Sequence, residues 1–298
     1  MLKKILIATR FGNLLIMSLG LFLAYLRFSP VHHWLDFVLA LLSLNLIAIG
    51  GYVENDFRDK ELDEVNKPGR NVFNFELFKR FHLQFRFLFP LVAIAIGVYL
   101  DWSIGLLNAI CFGLLYVYAH KLKGIALVGN VLIAFLQSAV FLMSYLLAMT
   151  HLEEEATSGA NLAETFTTVL GHVIYGGFAF TSGWIREMIK DLEDKKGDEA
   201  FGLKTFAVSF SEKSNKRILY VLESCLIIGI AILTASFVKK GFDDPKNVIA
   251  YFFGFLVLPM SVRLFLLTRK AAETKDWRFL SQWMKIIMLA GIVSIAFL

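Results

Sequence analysis

The sequence predicts an all-α, polytopic membrane protein of about nine transmembrane helices, forming a single domain over residues 1–298. Three observations carry this. Hydrophobic residues make up 57% of the 298 and charged residues only 18%, where a soluble domain has about 25% charged. Mean hydropathy is accordingly high, at +0.63. The apolar residues gather into stretches close to the roughly 20 residues needed to cross a bilayer core. The basic residues, finally, concentrate on alternate connections between those stretches, as they do in multi-pass proteins.

In chain order the predicted spans are about Phe11–Leu26, Trp34–Val53, Phe81–Leu100, Ile104–Tyr118, Ile125–Met149, Phe166–Ile185, Ile218–Val238, Val248–Leu267 and Trp283–Leu298. The basic Met1–Arg10 followed by an apolar run has the layout of a secretory signal. No small-residue cleavage site follows it and many spans come after, so it reads as the first retained helix. The third stretch opens with His82, Gln84 and Arg86, which places its start at the interface with Arg86 snorkelling. The fourth and ninth stretches are short.

With the N-terminus inside, the inner segments hold 24 Lys and Arg residues, and the outer segments hold 4: Arg27, Lys239, Lys240 and Lys246. The N-terminus and the loops after spans two, four, six and eight are then cytoplasmic, and the C-terminus lies on the opposite side. This topology accounts for the net charge of +5, so no nucleic-acid partner is expected, and no protein partner is predicted. Cys111 and Cys225 sit inside apolar runs and offer neither a disulfide framework nor metal-ligand spacing.

Two of the inner loops are long, Glu54–Arg80 and Arg186–Arg217. Each opens on an aspartate triplet at i, i+3, i+7: Asp56, Asp59 and Asp63, then Asp191, Asp194 and Asp198. On a helix those offsets share one face. Three carboxylates on one face repel each other unless cations lie among them. A solvated loop with helical ion pairs would explain either triplet alone. Two triplets in matching positions, 135 residues apart, argue for a shared task. Hard carboxylate oxygens suit Mg2+, which takes phosphate oxygens as further ligands. Two such faces can hold one diphosphate through bridging Mg2+ ions, which neutralise the charge of a departing diphosphate. Arg70, Lys121, Lys123 and Lys204 are the candidate basic contacts to it.

At these residues the chain resembles the UbiA superfamily of intramembrane prenyltransferases. Asn55 through Asp63, followed by Asn66, Pro68 and Arg70, is similar to that family's first signature. Asp191, Asp194, Asp198, Gly202, Lys204 and Thr205 are similar to its second. Tyr118 to Lys123, leading to Gly129-Asn130, resembles a third segment. The departure is Asn71, where the family commonly has proline; it is expected to alter loop shape more than chemistry. The resemblance covers about residues 10 to 298. It implies nine helices around a central cavity, the aspartate motifs capping it on the cytoplasmic side, and transfer of an isoprenyl group from its diphosphate to a membrane-associated acceptor. The expected catalytic residues are the six aspartates, with Mg2+ on Asp59, Asp63, Asp191 and Asp194. Asn55, Arg70, Lys121, Lys123, Asn130 and Lys204 are the expected substrate contacts. Within the superfamily, the run Arg186 to Asp198 is most similar to the geranylgeranylglycerol-phosphate geranylgeranyltransferase branch.

Other polar residues in the apolar stretches have plainer readings. Gln137 and Ser138 fit interhelical hydrogen bonds, and Glu223 fits a paired or snorkelling acid. His32, His33, His151 and His172 fall toward the outer side, away from the aspartates. Most of the 29 Phe residues face lipid or pack helices. Two other functions compete: a transporter with cation-binding cytoplasmic loops, and a prenyltransferase acting on an aromatic quinone precursor or porphyrin. Transporters place their ionisable groups near the midplane, whereas these acids sit at helix ends. A phospholipid-type phosphotransferase would open its aspartate motif with Asp-Gly and an Ala-Arg pair, which are absent here. The acceptor and the prenyl chain length are not written in acidic loops.

Overall fold

Backbone amides have no water to bond with in a hydrocarbon core, so apolar stretches of this length must close their hydrogen bonds within helices. The computed structural model describes residues 10–29, 32–69, 71–155, 162–238 and 247–298. Its helices are α1 (Phe11–Phe28), α2 (Trp34–Arg58), α3 (Lys60–Asn66), α4 (Glu76–Arg80), α5 (Phe89–Leu100), α6 (Trp102–Val117), α7 (Val128–Glu155), α8 (Leu162–Ala200), α9 (Phe206–Ser209), α10 (Glu212–Val238), α11 (Asn247–Phe252), α12 (Leu258–Lys270) and α13 (Thr274–Val293). Among the described residues no strand forms, and a single parallel β-bridge joins Ile125 to Lys204.

Among the described residues, six helices are long and apolar enough to cross a membrane: Phe11–Phe28, Trp34–Arg58, Trp102–Leu122, Val128–His151, Glu212–Ser236 and Thr274–Phe297. The chain is an integral, multi-pass membrane protein. The third predicted span is a shorter apolar helix, Gln84–Leu100. The sixth lies within α8, where Thr, Gly, His and Ser dilute the apolar run. The eighth is divided between α11 and α12 by a π-turn, Phe253–Val257. Another π-turn, Gln84–Leu88, leads into α5. Pro90 and Pro259 each stand at the start of the helix that follows such a turn. A proline ring clashes with the carbonyl four residues back, and a widened turn removes that clash. The ninth span begins nine residues earlier than the apolar count suggests, at Thr274, because Glu273 and Asp276 form a capping box around its charged first turn. The two segments read as long loops are also largely helical. Asp56 lies in α2, Asp63 in α3, and all of Asp191, Asp194 and Asp198 in α8.

The chain divides into two compact units: Met1–Gly124 with Ala139–Gly176, and Ile125–Ser138 with Gly177–Leu298. In the first, α5 and α6 approach with almost no side chain between them. A Cβ on Gly97 would meet the Gly105 Cα at 2.8 Å. Asn108 donates to the Ala93 carbonyl at 2.8 Å across the same contact. Gly50 of α2 lies against Pro90, and Gly51 against Leu115 of α6. The Thr168 hydroxyl donates to the Phe28 carbonyl, tying α8 to the end of α1. In the second unit, Thr268 of α12 donates to Glu223 of α10 at 2.7 Å, so the intramembrane acid is paired as expected. The Trp283 indole donates to the Met260 carbonyl, joining α13 to α12.

Candidate active site

The first acidic cluster lies in the first unit. Asp59 closes α2 and opens α3. Helical hydrogen bonds continue across it, from Asp59 N to Asn55 O at 3.0 Å and from Asp63 N to Asp59 O at 2.7 Å. The winding therefore persists, and the i, i+3, i+7 acids keep to one side. Asp56 is buried, at 2% exposure. One of its oxygens accepts from the Arg10 guanidinium at 2.6 Å and the other from the Val72 amide at 3.2 Å. Arg10 also lies over the Tyr52 ring. One oxygen of Asp59 accepts from the Asn55 amide at 2.6 Å and from the Lys123 ammonium. One oxygen of Asp63 accepts from Asn71 at 2.7 Å.

Asn71 is itself buried and makes three bonds. Its amide nitrogen also donates to the Asp56 carbonyl at 2.7 Å, and its oxygen accepts from Phe73 N at 2.9 Å. Burial, then the charges of Asp56 and Asp59, raise the Asp63 carboxyl above the ordinary carboxylate range. Behind this cluster Glu54 is buried and bonded twice by Arg86, at 2.5 and 3.2 Å, with Arg58 at 3.5 Å.

The second cluster lies in the second unit, on the last turns of α8. One oxygen of Asp191 accepts from the Asn130 amide at 3.0 Å and from Phe206 N at 3.3 Å. Burial first, and the Asp198 and Glu187 charges next, push the Asp191 carboxyl up to about 7. Asp198 is buried and accepts from the Thr205 hydroxyl at 3.0 Å. Gly202, at a φ of 69°, turns the chain after α8, which brings Thr205 back beside Asp198. Asp194 is half-buried on the same helix. Glu187 binds Arg186 at 2.8 Å, Lys190 at 2.9 Å and Gln137 at 3.4 Å.

Most of the residues singled out from the sequence are thus gathered within their own unit: Asn55, Asp56, Asp59, Asp63 and Lys123 in the first, and Asn130, Asp191, Asp194 and Asp198 in the second. Lys121 is exposed on the π-turn Tyr118–Leu122. The Lys204 side chain is exposed, while its backbone makes the bridge to Ile125. Arg70 lies outside the described residues. Sequence reasoning missed Arg10, which it counted only toward topology, and Asn71, which it noted only as a departure. Arg10 is 46 positions from Asp56, and no local pattern links them. Asn71 was findable as a polar residue eight positions beyond Asp63.

The donor chemistry fits Mg2+. Among the described residues, Asp59, Asp63 and Asp191 each use one carboxylate oxygen in the bonds above, and the second has no protein hydrogen-bond partner. Each is held by an amide on one oxygen and open on the other, as a hard-cation ligand should be. Asp56, with both oxygens engaged, is an anchor of the cluster.

A helical membrane fold bearing two aspartate triplets of this spacing is that of an intramembrane prenyltransferase. Residues 13–286 match the UbiA prenyltransferase family, and the chain belongs to it. It is similar to digeranylgeranylglyceryl phosphate synthase of Sulfolobus acidocaldarius, with 31% identity over 78% of this chain and 70% of that one. It is also similar to the enzyme of that name from Methanopyrus kandleri, with 31% identity over 66% of this chain and 65% of that one. A solved structure of digeranylgeranylglyceryl phosphate synthase superposes with a TM-score of 0.67 at 23% identity, covering 100% of this chain and 99% of the other. A UbiA homologue from Archaeoglobus fulgidus, bound to DMAPP and Mg2+, superposes with a TM-score of 0.61 at 14% identity over 99% and 100%.

Proposed function

We propose that the protein transfers a prenyl group from an isoprenyl diphosphate to the hydroxyl of a membrane-associated glycerol-phosphate lipid, with Mg2+ as the metal, and that the whole chain acts as one catalytic domain. Family membership supports the reaction class. The relatives named as digeranylgeranylglyceryl phosphate synthases support the acceptor class, as does the similarity of the Arg186 to Asp198 run to the corresponding branch. The observation that carries the reading is the set of carboxylate oxygens on Asp59, Asp63 and Asp191 that no described residue engages by a hydrogen bond.

Asp59, Asp63, Asp191 and Asp194 would hold Mg2+. When bound there, it supplies electrophilic neutralisation of diphosphate charge. Asn55, Asn71 and Asn130 orient the aspartates through the amide bonds described. Lys123 sets an ammonium beside Asp59, where it can contact a diphosphate oxygen, and Arg70, Lys121 and Lys204 are the further proposed contacts. In the reaction the prenyl C–O bond to diphosphate breaks, a C–O bond to the acceptor oxygen forms, and the acceptor hydroxyl loses its proton. The apolar helices keep water from the allylic carbon. The lysine and arginine distribution supports a cytoplasmic N-terminus and cytoplasmic acidic clusters.

The test is diphosphate release by the purified protein with Mg2+ and allylic diphosphates of increasing length, with a glycerol-phosphate lipid, an aromatic acceptor or none. Release that depends on the glycerol-phosphate lipid is expected. Release only with an aromatic acceptor would replace the acceptor assignment, and cation flux without any release would overturn the enzyme reading.

A further inference from the structure

A second group of donors lies at the other end of α2 from Asp56. His33 caps that helix, Asp36 is in its first turn, and Asp56 follows twenty residues later, about 30 Å along the axis at a helical rise of about 1.5 Å per residue. His151, near the end of α7, completes the group, and all three residues belong to the first unit. Their donor atoms lie within 4.8 Å of one another. We propose that His33, Asp36 and His151 form a binding site for a Zn2+-class transition-metal ion, separate from the acidic clusters and independent of the prenyl-transfer reading.

Distance supports it first. A four-coordinate ion bonded at about 2.0–2.1 Å spaces its ligand atoms about 3.3 Å apart. His151 Nε2 and Asp36 Oδ2 are already 3.1 Å apart. His33 is exposed, so its ring can turn in without displacing packed neighbours, and the two imidazoles are 4.3 Å apart between centroids.

The surrounding hydrogen bonds orient the ligands. The fully buried Tyr25 hydroxyl accepts from His33 N at 2.7 Å and donates to the His33 carbonyl at 3.3 Å. The same hydroxyl lies 3.4 Å from His151 Nδ1, where it can accept the Nδ1 proton. In that tautomer the lone pair of His151 Nε2 faces the Asp36 carboxylate, and an ion between them is bonded by both. An imidazole fixed through its other nitrogen is also how proteins prepare a metal ligand. Two imidazoles and one carboxylate suit Zn2+ and neighbouring transition metals better than Mg2+, with a fourth position left for water. Such an ion would tie the connection between α1 and α2 to the end of α7, at the end of the first unit away from its aspartates.

The experiment uses the full chain without a polyhistidine tag, in detergent, with Mg2+ saturating. Co2+ is titrated in and then displaced by Zn2+. A single equivalent of Co2+ should develop visible absorption of a nitrogen–oxygen site, and Zn2+ should raise the unfolding temperature. His151→Gln and Asp36→Asn should each weaken Co2+ binding by about 100-fold or more. His33→Ala leaves the His151–Asp36 contact in place, and it should still weaken binding about tenfold or more. Diphosphate release with Mg2+ should be the same in His33→Ala as in the wild type. If the wild type binds no more Co2+ than the His33→Ala/His151→Gln double variant, or if that variant keeps the Zn2+-induced shift, the group is a His–Asp ion pair and the proposal fails.

Discussion

Asn71 supplies one amide nitrogen to two acceptors, the Asp56 carbonyl and the Asp63 carboxylate, and its oxygen receives the Phe73 amide. Proline at this position could make none of these side-chain bonds, so the departure from the family pattern is a working part of the cluster. Leaving buried partners unpaired costs about 1–3 kcal/mol, which corresponds to roughly 5- to 150-fold. Asn71→Ala should raise the Mg2+ concentration for half-maximal diphosphate release by about that factor; an unchanged Mg2+ titration would remove Asn71 from the site. Asp191 makes a pH prediction. Its carboxyl titrates near 7 in the folded, metal-free protein and near 3.8 in an exposed chain. The folded state therefore holds a proton that the unfolded state releases. This contribution to stability is fully present below about 4 and is lost as the pH rises through about 7. Mg2+ must displace the same proton, so its affinity should fall as the pH drops below 7 and binding should release protons. Calorimetry in buffers of different ionisation heat measures this, and Asp191→Asn should abolish the Asp191 share. The aspartates themselves were legible as a spacing pattern. Arg10 and Asn71 were not, because their roles depend on which distant atoms they meet.

Among the elements, the contact of α5 with α6 depends on two glycines. Gly97→Leu would drive a side chain into the Gly105 backbone, and overpacking of this kind costs about 1–3 kcal/mol. Thermal unfolding in detergent should report a lower midpoint for Gly97→Leu than for a substitution at exposed Leu91 on the same helix. The Glu54–Arg86 pair is a second element-scale device. It joins α2 to the π-turn before α5, with the Arg86 guanidinium also 3.8 Å from the Phe57 ring centre. Sequence reading set Arg86 at the interface; the structure buries it against Glu54. Removing one partner strands a buried charge, at about 3–5 kcal/mol. Arg86→Met should therefore be severely destabilising, while Glu54→Leu/Arg86→Met recovers much of the loss. An unfolding midpoint for the single variant equal to the wild type would show that the pair contributes nothing. The helices were legible because apolar runs of this length have one solution in lipid. The π-turns before Pro90 and Pro259 were less so, since their cause is a proline ring meeting a carbonyl one turn earlier.

For the whole molecule, the distribution of lysine and arginine predicts the N-terminus and both acidic clusters on one side and the C-terminus on the other. Reporter fusions at the two termini should give opposite compartment signals; identical signals would require an even number of spans. Asp59→Ala and Asp194→Ala should each reduce turnover to background while the protein still inserts at wild-type levels. Full activity in either would show that its cluster is not part of the reaction.

The membrane class, the helical segments, the two aspartate triplets and the family resemblance were all determined by sequence alone. Each depends on local composition or on spacings within two helical turns, and both survive in a linear text. Only the tertiary structure decided that Asp56 is spent on Arg10 and Val72, that Asn71 braces Asp63, and that His33, Asp36 and His151 converge. Those outcomes depend on contacts between residues as far as 118 positions apart in the chain. Such pairings are set by how helices pack, and packing leaves no periodic mark on the sequence.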